Sequence, residues 1–312
     1  MDIKERLREW NGKRYYSLDC YLKRTFGKKL YKLSLNGGMT CPNRDGTIST
    51  GGCIFCSQGG SGEFAPSPTR SMDEQIEATK SMVSRKADGS GHIAYFQAFT
   101  NTYAPVSRLR DLFFPVIRRD DIDVLSIATR PDCLEDDKLR LIEELVRIKP
   151  VWIELGLQTI HEKTARLINR GYELPCFDSA LKSLKSIGAG VIVHTIAGLP
   201  HETRKEMLET VRYVGQMGAD GIKLQLLHIL RGTRLEALYE SGQVSAMRED
   251  EYVSLIAEMI GNLPPETVIH RLTGDGDKRL LIAPLWSLDK LHVLNSINHE
   301  LRVRDIIQGS LL

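Results

Sequence analysis

Three cysteines set the strongest limit on what this chain can fold into. In Cys41-Pro-Asn-Arg-Asp-Gly-Thr-Ile-Ser-Thr-Gly-Gly-Cys53-Ile-Phe-Cys56 the thiols stand at C-x11-C-x2-C, with Gly46, Gly51 and Gly52 between them. Glycines let the backbone approach a compact inorganic body closely and aim its N–H groups at anionic sulfur. The count of three carries the information. Structural zinc sites close with four ligands, and ordinary iron–sulfur sites use four cysteines. A 4Fe-4S cluster on Cys41, Cys53 and Cys56 therefore keeps one iron open, where S-adenosylmethionine (SAM) can chelate. The competing readings are a disulfide with a spare thiol and a zinc site completed by a fourth ligand. No signal-peptide pattern precedes the cysteines, and His92, the next histidine, does not fall at zinc-finger spacing.

At 312 residues and 42% hydrophobic content the chain can bury a full core. No apolar run approaches the ~20 residues that span a bilayer, so no membrane association is expected and a cytoplasmic location is. The net charge of +2 hides an asymmetry: residues 1–32 carry ten Lys/Arg against four acids, a local +6, leaving −4 for the rest. Trp10, Tyr15, Tyr16, Tyr21, Phe26 and Tyr31 are interleaved with those cations. Such a segment suits a polyanion, since cations neutralise phosphates and rings offer stacking faces; the alternative is an amphipathic helix packed on the body of the protein.

Apolar periodicity predicts an α/β fold. Strands are expected at 30–35, 92–99, 123–128, 151–155, 190–196 and 221–227, alternating with helices near 71–85, 106–118, 135–148, 161–169, 175–187 and 202–217. Six strands separated by helices pair in parallel through right-handed crossovers. Ligands of such folds collect at the C-terminal ends of the strands, where the chain's polar motifs fall. No linker separates a second globular domain, and 267–271 with 287–304 read as a strand and helix that cover the open side.

Cys41, Cys53 and Cys56, taken with Thr129-Arg-Pro-Asp132, Glu154-Leu-Gly-Leu-Gln158 and His194-Thr-Ile-Ala-Gly-Leu-Pro200, resemble the radical SAM superfamily. The chain is most similar to the branch holding the Elongator catalytic subunit and the oxygen-independent coproporphyrinogen oxidases. Within it the chain resembles the YtqA/YhcC group, whose MnmL-type members are implicated in tRNA wobble-uridine modification. The resemblance implies an incomplete parallel (β/α)6 barrel over 33–232, a basic N-terminal extension over 1–32, and a C-terminal extension over 233–312 covering the barrel. It implies one 4Fe-4S cluster and SAM as cofactors, with Gln97, Thr100 and Asn101 near the methionine amino group and Thr129 and Arg130 aimed inward. Gln158 and Arg170 would meet the SAM ribose and carboxylate, as a planar guanidinium suits a carboxylate.

His194 stands where the related family carries an Asp. Glu154, inside a strand, needs a partner, with Arg130 and Lys223 the candidates. Lys223, Gln225 and His228 are candidates for substrate contact. Cys20, Cys133 and Cys176 read as packing residues.

The activity implied is generation of a 5'-deoxyadenosyl radical, with tRNA as substrate and an electron carrier such as flavodoxin or ferredoxin as partner. The specific reaction is conversion of 5-carboxymethylaminomethyl-(2-thio)uridine to the 5-aminomethyl form. The rivals are a small-molecule substrate such as a tetrapyrrole, and a non-enzymatic iron–sulfur protein.

Overall fold

A computed structural model describes residues 3–60, 62–63, 65–83, 90–274 and 276–312. Strands β1 (Leu30–Leu35), β2 (Gly91–Phe96), β3 (Val124–Thr129), β4 (Val151–Gln158), β5 (Gly190–Ala197), β6 (Gly221–Leu226) and β8 (Val268–Arg271) form one sheet. Every pairing in it is parallel, in the order β1-β2-β3-β4-β5-β6-β8. Helices fill the crossovers: α3 (Met72–Val83), α4 (Val106–Ile117), α5 (Asp136–Val146), α6 (Glu162–Leu167), α7 (Leu174–Ser186) and α8 (Arg204–Gln216). The expected end of the first of these, near Arg85, lies outside the described residues. Before the sheet come α1 (Ile3–Glu9) and α2 (Leu18–Phe26); after β6 come β7 (Ile229–Leu230), α9 (Arg234–Glu240), α10 (Glu249–Gly261), β9 (Leu281–Ala283) and α11 (Lys290–Val303). β7 and β9 form a separate antiparallel ribbon.

The sheet is a curled half-barrel, and side-chain alternation divides it. Leu33, Leu35, Phe96, Leu125, Ile127, Ile153, Leu155 and Val193 are buried in the main core together with α3, α4, α5 and α7 residues such as Ile76, Phe113, Leu141 and Phe177. The opposite pleat faces the barrel interior in layers. Lowest are Leu30, Ile93, Val124, Trp152 and Ile192, an apolar layer. Next come Lys32, Tyr95, Ser126, Glu154, His194 and Lys223, then Ser34, Gln97, Ala128, Gly156, Ile196 and Gln225, each two residues further along its strand.

The structure adds detail at both ends of the chain. The sheet has seven strands, because β8 from the C-terminal region pairs with β6 as part of it. The N-terminal segment is not a free polyanion-binding arm. Ser17 caps α2, and Leu22, with Leu18, Tyr21 and Phe26, packs on the lowest interior layer, so α2 plugs the barrel at the N-terminal ends of the strands. Trp10 and Tyr15 are buried, and Tyr16 stacks on Trp10 with centroids 6.1 Å apart. Five of the ten cations are paired: Arg14 with Asp305, Lys23 with Asp19, Arg24 with Glu9, Lys28 with Asp123 and Lys32 with Glu154. Amphipathic packing wins because apolar burial of the rings outweighs whatever an exposed stacking face offers.

Candidate active site

The cysteine loop lies at the C-terminal ends of the strands, opposite the plug. Arg44 folds it back by donating to the Cys56 carbonyl at 2.8 Å and to that of Ser57. Gly52, at φ 78°, lies under this guanidinium; a Cβ there would stand 2.8 Å from Arg44 Nε. Asn169 Nδ2 donates to the Gly52 carbonyl at 2.9 Å, and Asn43 Nδ2 donates to the Asn169 carbonyl. The Ile54 N–H donates to the Ile168 carbonyl at 3.1 Å, while the Ile54 carbonyl accepts from the Leu235 N–H at 2.9 Å. The loop is thus seated between the end of α6 and the start of α9. Ile54 is buried there with Ile168, Leu199, Leu227 and Leu235, whereas Phe55 faces the cavity.

Cys41, Cys53 and Cys56 line one cavity of about 550 Å³, as do Gln97, Thr100, Thr129, Arg130, Gln158, Arg170 and His194. The layer Ser34, Gln97, Ala128, Gly156, Ile196 and Gln225 forms its wall; Tyr95, Glu154 and Lys223 form its floor. Among the described residues no three His, Cys, Asp or Glu side chains converge closely enough for a single metal ion. Three thiols lining one cavity fit the donor set of an iron–sulfur core. Burial pushes the Cys53 thiol up to about 12, with Cys56 adding to this and Arg130 opposing it. Without metal the thiol is protonated, so loading an iron–sulfur core displaces protons. Asn43 Nδ2, 3.7 Å from Cys53 Sγ, is the polar neighbour that a thiolate there would use.

Two expected SAM contacts take other roles. Asn101 is fully buried and does not line the cavity; its Nδ2 bonds the carbonyls of Phe96 at 3.1 Å and Ala128 at 3.0 Å, tying β2 to β3. Arg170 lines the cavity but spends all five donors on the protein. Nε and Nη2 reach the Tyr172 carbonyl, Nη1 reaches those of Leu157 and Thr159, and Nη2 also meets Glu162 at 3.1 Å. No donor remains for a ligand carboxylate, because the β4 bulge between Gly156 and Gln158 leaves carbonyls that need them. Arg130 is likewise held, by Asp132 at 2.6 Å and the Arg170 carbonyl at 2.8 Å, and is not the partner of Glu154. Thr129 Oγ1 shares a hydrogen bond with Thr102 Oγ1 at 2.5 Å.

Glu154 is the centre of the floor. Its buried carboxylate accepts from Lys32 at 2.8 Å, Ser126 at 3.1 Å, His194 Nε2 at 2.7 Å, and Lys223. Lys223 also reaches the Tyr95 hydroxyl at 3.2 Å, so the network touches every strand from β1 to β6. Burial alone would raise the Glu154 carboxyl, but the charges of Lys223 and Lys32 and the His194 bond hold it well below the usual range. Burial pulls the His194 imidazole down to about 4, Lys223 adding to this and Glu154 opposing it. A neutral His194 donates from Nε2, and its Nδ1 has no partner among the described residues. Sequence reasoning missed Lys32 as a member of this set and counted it as surface charge; its place two residues before Ser34 on β1 was the available signal.

Of the other thiols, Cys20 and Cys133 are buried and Cys176 is half-buried; none lines the cavity. Among the described residues no helix is long and apolar enough to cross a membrane.

The structure is an α/β fold: a parallel half-barrel with three thiols on a polar cavity at the C-terminal strand ends. Comparison with known proteins makes this specific. The Radical SAM superfamily model matches residues 43–214 and the Radical_SAM C-terminal domain model matches 219–303, so the chain belongs to the radical SAM superfamily. It is 46% identical to the uncharacterized protein YtqA of Bacillus subtilis, covering 95% of this chain and 92% of that one. It is 38% identical to protein YhcC of Escherichia coli, covering 93% of each. Human Elongator complex protein 3 is 28% identical over 48% of this chain and 28% of its own length. The archaeal Methanocaldococcus infernus Elp3 shares the fold, with a TM-score of 0.66 at 14% identity over 90% of this chain and 64% of that structure.

Proposed function

We propose that this radical SAM enzyme acts on tRNA, converting the 5-carboxymethylaminomethyl-(2-thio)uridine of the wobble position to its 5-aminomethyl form, with one 4Fe-4S cluster and SAM as cofactors and flavodoxin or ferredoxin as reductant. The observation that supports the reading is that the three thiols line one cavity whose floor is Tyr95, Glu154 and Lys223, with the apolar layer under α2 beneath it. A base in a stacked loop cannot reach so deep a site, and an extruded one can. The motifs' resemblance to tRNA-modifying members of the YtqA/YhcC group supplies the reaction.

Cys41, Cys53 and Cys56 would hold the cluster, and the reduced cluster with bound SAM supplies a 5'-deoxyadenosyl radical for hydrogen abstraction. Gln97, Thr100, Thr129 and Gln158 offer the hydrogen-bonding wall for SAM. Phe55 and Ile196 give the cavity apolar surface that excludes water, while Glu154 fixes His194 and Lys223 at its floor.

Nucleoside analysis of tRNA from cells with and without the gene tests the reading. The aminomethyl nucleoside should fall and the carboxymethylaminomethyl form accumulate in its absence. An unchanged ratio overturns the wobble-uridine assignment.

A further inference from the structure

Five of the ten N-terminal cations are ion-paired and α2 closes that end of the barrel, whereas the cavity lies at the other end, beside a second group of cations. Three segments meet there through backbone hydrogen bonds. Ile54 of the cysteine loop joins the end of α6, through Ile168, to the start of α9, through Leu235. The Arg231 N–H then donates to the Leu280 carbonyl at 2.7 Å, joining β7 to the turn before β9. These segments carry Arg166, Arg231, Arg234, Lys278 and Arg279, all exposed. The first four make no side-chain hydrogen bond or ion pair among the described residues.

The neighbouring acids are turned inward. Glu162 bonds Arg170 and the Leu174 N–H at 2.6 Å, Glu236 accepts from the Gly232 N–H at 2.6 Å, and Asp277 pairs with Arg279 and accepts from its N–H at 2.8 Å. The arc therefore presents cations outward and satisfies its carboxylates locally. Leu230 and Asp277, next in sequence to Arg231 and Lys278, line the cavity, so the arc adjoins it.

We propose that this arc, Arg166, Arg231, Arg234 and Lys278, is the docking surface for the phosphate backbone of a folded RNA, holding it so that one base enters the cavity. The inference rests on the tRNA reading above and moves its electrostatic component from the N-terminal segment to the mouth. Rotatable cations that make no ion pair among the described residues, on segments that line the cavity, suit phosphates, which position a nucleic acid without reading its sequence.

The test is the binding of bulk tRNA, by fluorescence anisotropy across a salt series, to wild type and two variants. One carries Arg166→Gln, Arg231→Gln, Arg234→Gln and Lys278→Gln; the other carries Lys23→Gln, Arg24→Gln and Lys29→Gln at the plugged end. All seven side chains are exposed, so equal melting temperatures certify the fold. The mouth variant should bind at least about tenfold more weakly at low salt, with a log–log salt slope smaller by about 3, from roughly 0.7–0.9 per phosphate contact. The plugged-end variant should stay within about twofold of wild type. Wild-type binding by the mouth variant, or loss in the plugged-end variant alone, overturns the surface. If wild type binds no tRNA, the surface and the tRNA reading fall together. Weakened binding by the mouth variant alongside an unchanged nucleoside profile upholds the RNA surface and sinks only the wobble-uridine assignment.

Discussion

The guanidinium of Arg170 holds the backbone on both sides of Gln158, donating from Nη1 to the Leu157 carbonyl at 3.2 Å and to the Thr159 carbonyl at 2.7 Å. Gln158 itself sits at φ 65°, a region that costs a residue with a Cβ about 1–2 kcal/mol. Arg170 thus fixes the backbone that places Gln158 in the cavity wall, and under the proposed function it would act on SAM only through that placement. Gln158→Gly should leave the melting temperature unchanged or raised, yet weaken SAM about tenfold, the effect of losing about 1.4 kcal/mol. Arg170→Ala should destabilise the fold by about 3 kcal/mol, as removal of a buried charged partner does. In a double-mutant cycle read by SAM titration, the pair should lose no more affinity than Gln158→Gly alone. Additive losses would show that Arg170 touches SAM itself.

The thiols make a second prediction. Anaerobic reconstitution should give about four irons per chain. Ala at Cys41, Cys53 or Cys56 should abolish the cluster absorbance, whereas Ala at Cys20, Cys133 or Cys176, none of which lines the cavity, should preserve it. About eight irons, or a cluster that survives Cys53→Ala, contradicts the single-cluster assignment.

Acid should loosen the barrel floor. Burial lowers His194 from 6.5 to about 4, so between those values the unfolded chain binds a proton that the folded chain refuses, and stability falls as pH falls through that window. Glu154, depressed from 4.5, continues the loss in the same direction below its ordinary pKa. His194→Gln keeps a donor for Glu154 and removes the titration. Urea unfolding at pH 7 and pH 4.5 should show the variant losing about 2 kcal/mol less than wild type between the two. Equal losses would remove His194 as the source.

The plug is testable through Leu22, which is 3% exposed against the lowest barrel layer. Leu22→Ala should cost about 2–5 kcal/mol, the range for a buried leucine. Lys28→Glu, which opposes Asp123 on the surface, should cost about 1 kcal/mol or less. If thermal melting shows Leu22→Ala to be neutral, α2 does not seal the barrel.

The cysteine spacing, the alternation of strands with helices and the position of each polar motif after a strand are local properties. They were legible because thiol count, apolar period and turn chemistry are written in consecutive residues. β1 was placed at its observed bounds, and Glu154 was recognised as needing a partner, with Lys223 among the candidates. Which candidate it took depended on register. Lys223 and Lys32 reach Glu154 from β6 and β1, 69 and 122 residues away in sequence, and only the curl of the sheet sets those strands around one carboxylate. The same holds for Arg170, whose donors were committed by a bulge in β4 that no residue type announces. It holds for the N-terminal aromatics as well, since a Lys- and Tyr-rich helix reads alike whether its rings meet a base or the bottom of a barrel. The sequence by itself determined the three-thiol pattern and the order of elements, through short-range patterns. Tertiary structure alone decided which charges were already paired, because pairing depends on side chains that strand curvature and helix packing bring together.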